Sequence, residues 1–476
     1  MRDIVIIGAG PSGLSAAVEA TNCGATVTVV EKLEQVGGLA RTIEFDGNRF
    51  DIGPHRFFTK NEEVRTLFET VLGTDLVRVP RLTRILHDGV YFDYPLTPIN
   101  AIKGIGFGGG LAVASSYASA RIRRSLASRP ADTFEEWIVE RFGRTLFETF
   151  FKTYTEKVWG ISCSRIGADW AAQRIRGLSL TTALRNALFK TGSATVKTLV
   201  DEFGYPRLGA GQTYEKMADS LGGVGGRVTT RANVVSMRRD GMRLRAVAVE
   251  EPGGHRQDVE GRYFLTSATL SDTIAMMDPP APPEVVRASR ALRYRDHIAV
   301  NLVVAGSPFP DNWIYVHDTG TTVARVANYR NFSPEMARSP DVSPLTAEYF
   351  SFPQDPLALS SDADLIKLAT RELDQLGLVE RERIIGGFVV RSERAYPVME
   401  IGYQTHIDTI RNWLDGFENL LPIGRSGMFK YNNQDHAMAT GMLAARTVLG
   451  LGRFDPWRVN IDASYHEDGI SPERVS

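Results

Sequence analysis

The chain has 476 residues, too many for one simple hydrophobic core, so two or three domains are expected. Its 55 Lys and Arg against 56 Asp and Glu exclude a general electrostatic grip on nucleic acid, while leaving room for a local basic pocket. Two cysteines, Cys23 and Cys163, suit a reducing compartment and exclude a disulfide framework or a cysteine metal centre; no metal-ligand spacing stands out elsewhere.

In chain order, residues 3–7 read as an apolar strand that runs into Gly8, Gly10 and Gly13 and then a helix. Gly8 permits a tight turn, Gly10 lets backbone N–H groups approach a pyrophosphate, and Gly13 lets the helix pack on the strand. The phosphates would sit at a helix N-terminus, where unpaired N–H groups favour anions. A second strand over 26–30 ends in Glu31, 23 positions after Gly8, where a carboxylate can accept hydrogen bonds from an adenosine ribose. A strand this early leaves no room for a signal peptide, so a cytoplasmic protein is expected. Gly37-Gly38 and Arg41-Thr42 come next. They resemble the continuation in FAD proteins of the amine oxidase and sugar-mutase superfamily, where a second glycine turn and an arginine lie along the cofactor. An ordinary turn with a surface arginine is the plainer alternative.

Residues 104–120 carry no charge and are followed by Arg121, Arg123 and Arg124. The run is too short and too rich in glycine and serine to span a bilayer. A helix of the substrate domain is expected, with peripheral membrane contact through a basic-ended interfacial helix left open. Phe134, Trp137, Ile138 and Phe142 recur at helical spacing and predict a buried face. RVTTRANVVSMRRDG, MRLRAVAVEE and RYFLTSA then alternate apolar and polar residues, with turns at Asp240-Gly241 and Gly253-Gly254, and predict a β-meander. HIAVNLVVAG, WIYVHD, TTVARVANY, AEYFSF and IIGGFVVRS predict a further antiparallel sheet. Near the end, a short strand over 420–423 leads through Gly424-Arg425-Ser426-Gly427 to a small-residue helix, with Asn433 or Asp435 as its N-cap.

Four separated segments resemble the flavin-dependent UDP-galactopyranose mutase family. They are Asp51-Ile52-Gly53-Pro54-His55; Tyr154-Thr155-Glu156-Lys157-Val158-Trp159-Gly160, with Gln173-Arg174-Ile175-Arg176 after it; Ala324-Arg325-Val326-Ala327-Asn328-Tyr329 with Asn331-Phe332-Ser333-Pro334; and Tyr431-Asn432-Asn433-Gln434-Asp435-His436. The front half is closer to bacterial mutases and the back half to eukaryotic ones. Residues 175–204 form a longer segment than in bacterial mutases.

This resemblance implies an α/β fold. Residues 1–78, 206–280 and 405–460 would form a discontinuous, GR2-like Rossmann-type FAD-binding domain. Residues 79–205 would be a helical substrate or cap domain, 281–404 an antiparallel-sheet substrate domain, and 461–476 a C-terminal tail, with exposure beginning at Phe454. It implies FAD held by Gly8, Gly10, Gly13, Glu31, Gly38, Arg41, His55, Gly424, Arg425, Asn433, Gln434 and Asp435. The closing helix would aim its N-terminus at the flavin pyrimidine.

The implied substrate is a nucleotide diphosphate sugar. Its diphosphate would be gripped by Arg174 and Arg325, with Arg176 in reserve, because planar guanidinium groups bind phosphate oxygens in forked geometry. Tyr396 and Tyr431 would donate hydroxyls, Trp159 would line the sugar cleft, and Asn328 would bind substrate. His55 would adjust the flavin edge; His87, His255 and His297 read as isolated. The implied activity is pyranose–furanose isomerisation through an adduct between the sugar and reduced flavin, with no net redox change. NAD(P)H would serve only as external reductant, and self-association is left open. The competing reading is a redox enzyme on the same scaffold, an amine oxidase, protoporphyrinogen oxidase or desaturase acting on a hydrophobic or lipid-linked substrate.

Overall fold

The computed structural model describes residues 3–94, 98–126, 129–168, 170 and 202–460. Strands β1 (Asp3–Ile7) and β2 (Thr26–Val30) flank helix α1 (Pro11–Asn22). They belong to a five-stranded sheet in the order Leu420–Pro422, Tyr263–Thr266, β1, β2, Gly226–Thr229, each neighbouring pair being parallel. Parallel sheets bury both faces, which is why β1 is aliphatic throughout its last four residues. Ile4 and Ile6 pack with Leu14, Ala17 and Met442 on one side, while Val5 and Ile7 pack with Phe264 and Val247 on the other. The closing helix, Gln434–Val448, lies beside α1 on the Ile4 side.

The expected meander divides. Asn233–Asp240, Arg243–Glu250 and Arg256–Glu260 pair as antiparallel neighbours, turning at Gly241 and at Gly253–Gly254. Its first and last segments leave for the parallel sheet, where Gly226–Thr229 pairs with β2 and Tyr263–Thr266 with β1. Phe264 and Leu265 are buried on opposite faces, as an inner parallel strand requires.

The third large sheet has seven strands in the order Ile384–Pro397, Tyr294–Ala305, Val342–Ser351, Arg325–Asn328, Trp313–Val316, Thr83–His87, Val90–Asp93. It is mixed rather than purely antiparallel, because Trp313–Val316 runs parallel to Thr83–His87. The region after residue 79 is thus less helical than expected. Thr83–His87 and Val90–Asp93 form a hairpin over Asp88-Gly89, both at positive φ, and Glu202–Pro206 pairs with Leu76–Pro80. An Asp-Gly pair between alternating apolar residues is a strong hairpin signal, and it outweighs the helical tendency of the segments beyond it.

Pro98–Leu126 is a 29-residue helix with Leu111 and Ile122 exposed. No helix among the described residues is long and apolar enough to cross a membrane. Phe134, Trp137, Ile138 and Phe142 form the buried face that their spacing predicted, on a helix opened by a Thr133–Glu136 capping box. The segment after Phe454 is not simply an exposed extension. Pro456 and Trp457 are buried, and Trp457 joins the core beneath Val5 and Ile7.

One buried carboxylate fixes the approach to the site. Asp51 ends the strand Asn48–Asp51 and accepts hydrogen bonds from Thr42 Oγ1 (2.6 Å), Tyr205 OH (2.7 Å) and Ala210 N (3.1 Å); its own carbonyl accepts from Tyr329 OH (2.7 Å). Burial pushes the Asp51 carboxyl up to about 7, with the Thr42, Tyr205 and Ala210 hydrogen bonds pulling the other way. A carboxyl raised in the fold holds a proton that the unfolded chain has already lost. Unfolding free energy therefore falls as pH rises from the ordinary carboxylate range to about 7. Urea melts across that window should show this slope, and Asp51→Asn should flatten it; an unchanged slope in the variant would sink the assignment.

Candidate active site

A cavity of about 1330 Å³ runs from the glycine turn of β1–α1 to the face of the seven-stranded sheet. Its first end is built from Gly8, Gly10, Ser12, Glu31, Gly38 and Arg41. Gly10 and Gly38 meet back to back, and a Cβ on Gly38 would lie 3.2 Å from the Gly10 Cα. Gly13 is not in the wall. It lets α1 begin against Gly8, because a Cβ there would overlap the Gly8 carbonyl oxygen. Glu31 is 5% exposed and accepts hydrogen bonds from Ala9 N (2.7 Å, Oε2) and Leu33 N (2.9 Å, Oε1). Each carboxylate oxygen keeps a second lone pair for a ribose hydroxyl. Arg41 lines the wall but donates from Nη1 to Gly38 O (2.7 Å), so part of it is spent closing its own turn.

The closing helix brings Asn433, Gln434 and Asp435 to the wall, and Asn433 is its N-cap. Tyr214 OH donates to Gln434 Oε1 (2.7 Å), and Gly424 N to Thr440 Oγ1 (2.9 Å). Gly424 lies outside the wall, behind Ser12. Arg425 spans two chain segments, donating from Nε to Ala395 O (2.9 Å) and from Nη1 to Asn432 O (3.3 Å). Its guanidinium carbon lies 4.2 Å from the ring centres of both Tyr396 and Tyr431. Its Nη2 is buried with no hydrogen-bond partner among the described residues. A glycine cradle at a helix N-terminus, a carboxylate at the ribose distance and an unsatisfied buried donor at the other end fit a flavin dinucleotide. When bound, that group supplies either a nucleophilic reduced ring or a hydride acceptor.

At the far end, Gly53-Pro54-His55 lies over a buried charge network. Arg325 is 14% exposed by side chain and faces the cavity. It donates from Nε and Nη2 to the two oxygens of Glu348 (2.5 and 2.6 Å), which has no exposure at all. His297 Nε2 lies 2.8 Å from Glu348 Oε2. A Cβ on Gly53 would come within 3.0 Å of that same oxygen, so the loop rests directly on the pair. Burial pushes the Glu348 carboxyl up, but Arg325 and then His297 outweigh it and hold the group at about 2. Burial lowers His55 to about 4, with Glu348 opposing and Arg325 assisting, so the ring is neutral. Its Nδ1 is buried without a partner among the described residues.

Arg325, Tyr396, Tyr431, Arg425 and His55 therefore share one wall. Trp159 does not line it. At 3% exposure it packs edge-on against Tyr431 (5.4 Å) and Tyr396 (6.1 Å), buttressing both rings from behind. The expectation for Asn328 is also not met. The residue is fully buried away from the cavity, and its amide donates to Phe309 O (3.3 Å). Arg174 and Arg176 lie outside the described residues. Lys157, inside the YTEKVWG segment, donates to the carbonyls of Val316 (3.3 Å) and Val323 (3.0 Å), tying its helix to the large sheet.

His297 is not isolated, and Glu348 is a site residue that sequence reasoning missed. The available signal was a Glu inside VSPLTAEYFS, a strand buried at every position, where a carboxylate requires a partner. Trp313 and Tyr315 also reach the wall, from the strand Trp313–Val316.

The sequence profile described as flavin containing amine oxidoreductase matches residues 11–393. The chain is 28% identical over 178 residues to a protein named "Probable UDP-galactopyranose mutase" from Klebsiella pneumoniae, a match covering 35% of this chain and 44% of the relative. It is 24% identical over 397 residues to coproporphyrinogen III oxidase of Mycobacterium tuberculosis, covering 78% and 82%. Among solved structures it resembles reduced UDP-galactopyranose mutase (TM-score 0.83, 21% identity, 97% and 99% of the two chains). It also resembles cyclohexylamine oxidase of Brevibacterium oxydans (TM-score 0.65, 14% identity, 94% and 99%). At those identities the structural likenesses are likenesses of fold. The α/β fold, the glycine cradle and the profile match over most of the chain together make this protein a member of the flavin containing amine oxidoreductase family.

Proposed function

We propose that this enzyme is a flavin-dependent nucleotide-sugar mutase, interconverting pyranose and furanose forms without net redox change. The observation that carries the reading is Arg325, a guanidinium fixed edge-on by Glu348 and facing the cavity beside Arg425. Arg325, at the end remote from the dinucleotide cradle, offers the guanidinium edge that Glu348 does not occupy, which suits a leaving group that departs as a diphosphate and must be retained. Burial, then neighbouring Tyr431, raises the Tyr396 hydroxyl, so it stays protonated and can donate to a phosphate oxygen. Neutral His55 adds no charge at the flavin edge.

The second reading is a flavin oxidase for a hydrophobic or lipid-linked substrate. It draws support from the match to coproporphyrinogen III oxidase, which covers 82% of that protein. The two part in one experiment. Dithionite-reduced protein is incubated without oxygen with a panel of UDP-hexopyranoses, and the nucleotide sugars are separated. An isomer of unchanged mass is the expected result. No isomer, with oxygen uptake on a porphyrinogen or amine, would replace the mutase reading with the oxidase one.

A further inference from the structure

We propose that Asn432 is a flavin-binding residue whose side-chain amide, turned by Asn460, donates from Nδ2 to a carbonyl oxygen of the flavin ring. Mutase and oxidase chemistry would both use this donor, so it does not depend on which of the two reactions the enzyme runs. Asn432 lies between Tyr431 and the N-cap Asn433, and all three line the cavity. At 2% exposure it is sealed from solvent, and its Nδ2 has no hydrogen-bond partner among the described residues. A buried amide nitrogen calls for an acceptor.

The orientation of that amide is set by a residue that does not line the cavity. Asn460 Nδ2 donates to Tyr431 O (3.3 Å) and to Asn432 Oδ1 (3.2 Å). A backbone carbonyl only accepts, so the nitrogen of Asn460 is the atom that faces Tyr431 O. The same nitrogen then requires the oxygen of Asn432, which leaves the Asn432 nitrogen on the other branch of its amide. Asn460 is itself delivered by an anchored turn. Trp457 is buried in the core with Val5 and Ile7, and Lys430 Nζ donates to Trp457 O and to Val459 O, the latter at 3.0 Å. Asn460 follows at φ 64, a conformation that asparagine tolerates better than most residues.

The acceptor is assigned to the flavin from what stands beside Asn432. Its backbone carbonyl accepts from Arg425 Nη1 (3.3 Å), and Arg425 Nη2 is likewise buried with no partner among the described residues. Two unpaired donors therefore belong to residues hydrogen-bonded to each other, at the entry of the closing helix. A flavin ring presents carbonyl oxygens on its pyrimidine edge, and that edge gains negative charge when the ring is reduced. Hydrogen bonds strengthen as the acceptor gains charge. A donor there holds the reduced ring more tightly than the oxidised one and raises the reduction potential. Asn460 is the positioning residue of this arrangement, acting only through Asn432.

The test is the two-electron reduction potential of the FAD-loaded full chain, measured without oxygen against a reference dye. Asn432→Leu should lose about tenfold in its preference for the reduced over the oxidised ring, which lowers the potential by about 30 mV. Asn460→Leu, which leaves Asn432 in place, should shift the potential the same way by a smaller amount. In the Asn432→Leu background the Asn460 substitution should add nothing, whereas a merely loosened wall would shift both backgrounds alike. Equal shifts in the two backgrounds overturn the positioning role of Asn460. An unchanged potential in FAD-loaded Asn432→Leu overturns the flavin assignment, and UDP bound more weakly by that same variant would give the donor to the substrate instead. Should Asn432→Leu lose its flavin, Asn460→Leu decides alone, and an unchanged potential there overturns the proposal.

Discussion

Replacing Arg325 by alanine is expected to destabilise the fold by about 3–5 kcal/mol even before any ligand is added. The reason is the charge it leaves behind. Glu348 has no solvent exposure and depends on Arg325 for two of its hydrogen bonds, with His297 supplying the third. In the wild type its carboxyl is held at about 2, below its ordinary 4.5, against the upward push of burial. A depressed carboxyl contributes stability that is fully present above pH 4.5 and lost as pH falls toward 2. Without the guanidinium, burial prevails and the carboxyl rises. The variant then gains stability on acidification, as Glu348 takes up a proton that removes its charge. Urea melts at pH 7 and pH 4.5 should therefore show a gap between wild type and Arg325→Ala that narrows at the lower pH. A difference under about 1 kcal/mol at pH 7 would mean that Glu348 finds another partner. The double variant Arg325→Met with Glu348→Gln should recover most of the loss in stability while abolishing UDP binding, which separates the fold role from the ligand role.

The second large effect is expected at Gly441. On helix propensity alone, Gly441→Ala should stabilise the closing helix by up to about 1 kcal/mol. The packing reverses the sign. A Cβ at 441 would overlap the carbonyl oxygen of Ser12 and lie 2.9 Å from its carbonyl carbon and 3.1 Å from Ala16 N, all backbone atoms of α1. Nothing there can rotate away, so the two helices must separate, at a cost of about 1–3 kcal/mol or more. Separation also moves Asn433–Asp435 relative to Gly10 and Ser12, because both sets of residues wall the same cavity. We expect purified Gly441→Ala to carry substoichiometric FAD, read from the ratio of flavin to protein absorbance, and to melt earlier than the parent. Gly108→Ala is the control, since that helical glycine is exposed with nothing within 4 Å and should gain a little stability. Full flavin content and a raised melting point at 441 would refute the contact.

How much of this was legible depends on the range of the interaction. The cradle was readable because its parts are close in sequence: Gly8, Gly10, Gly13 and Glu31 lie within one β–α–β unit. The packing of small residues against the glycine turn was also readable, since a helix written AMATGMLAARTVLG has little to offer but close approach. The charge network was only half readable. Arg325 could be named from its surroundings, but its partner is 23 residues away on the next strand, and register is not written in the sequence. His297 failed for the same reason, since nothing local links it to a glutamate 51 positions on. Asn328 and Trp159 misled in a different way. Alternation along a strand and rotation about a helix decide which face a side chain takes, and one step turned Asn328 inward toward Phe309. The Asp88-Gly89 hairpin and the Glu within the apolar run VSPLTAEYFS were local signals passed over.

The strand order of the parallel sheet has a consequence for how the chain is made. Its five strands come from residues 3–7, 26–30, 226–229, 263–266 and 420–422, and the helix that seals the glycine turn ends at Val448. A ribosome delivers the first two strands about two hundred residues before their own neighbours at 226–229 and 263–266, and about four hundred before the outermost strand at 420–422 and the sealing helix. During that interval β1 and α1 expose the aliphatic and small-residue faces that later close on Met438, Met442 and Ala445. Completion of this layer therefore waits for the segment that ends at Val448, and until then β1 and α1 present an apolar face of the kind that favours aggregation. A truncation before residue 434 should therefore leave β1 and α1 without the helix that covers them, and lower the flavin content of the purified protein.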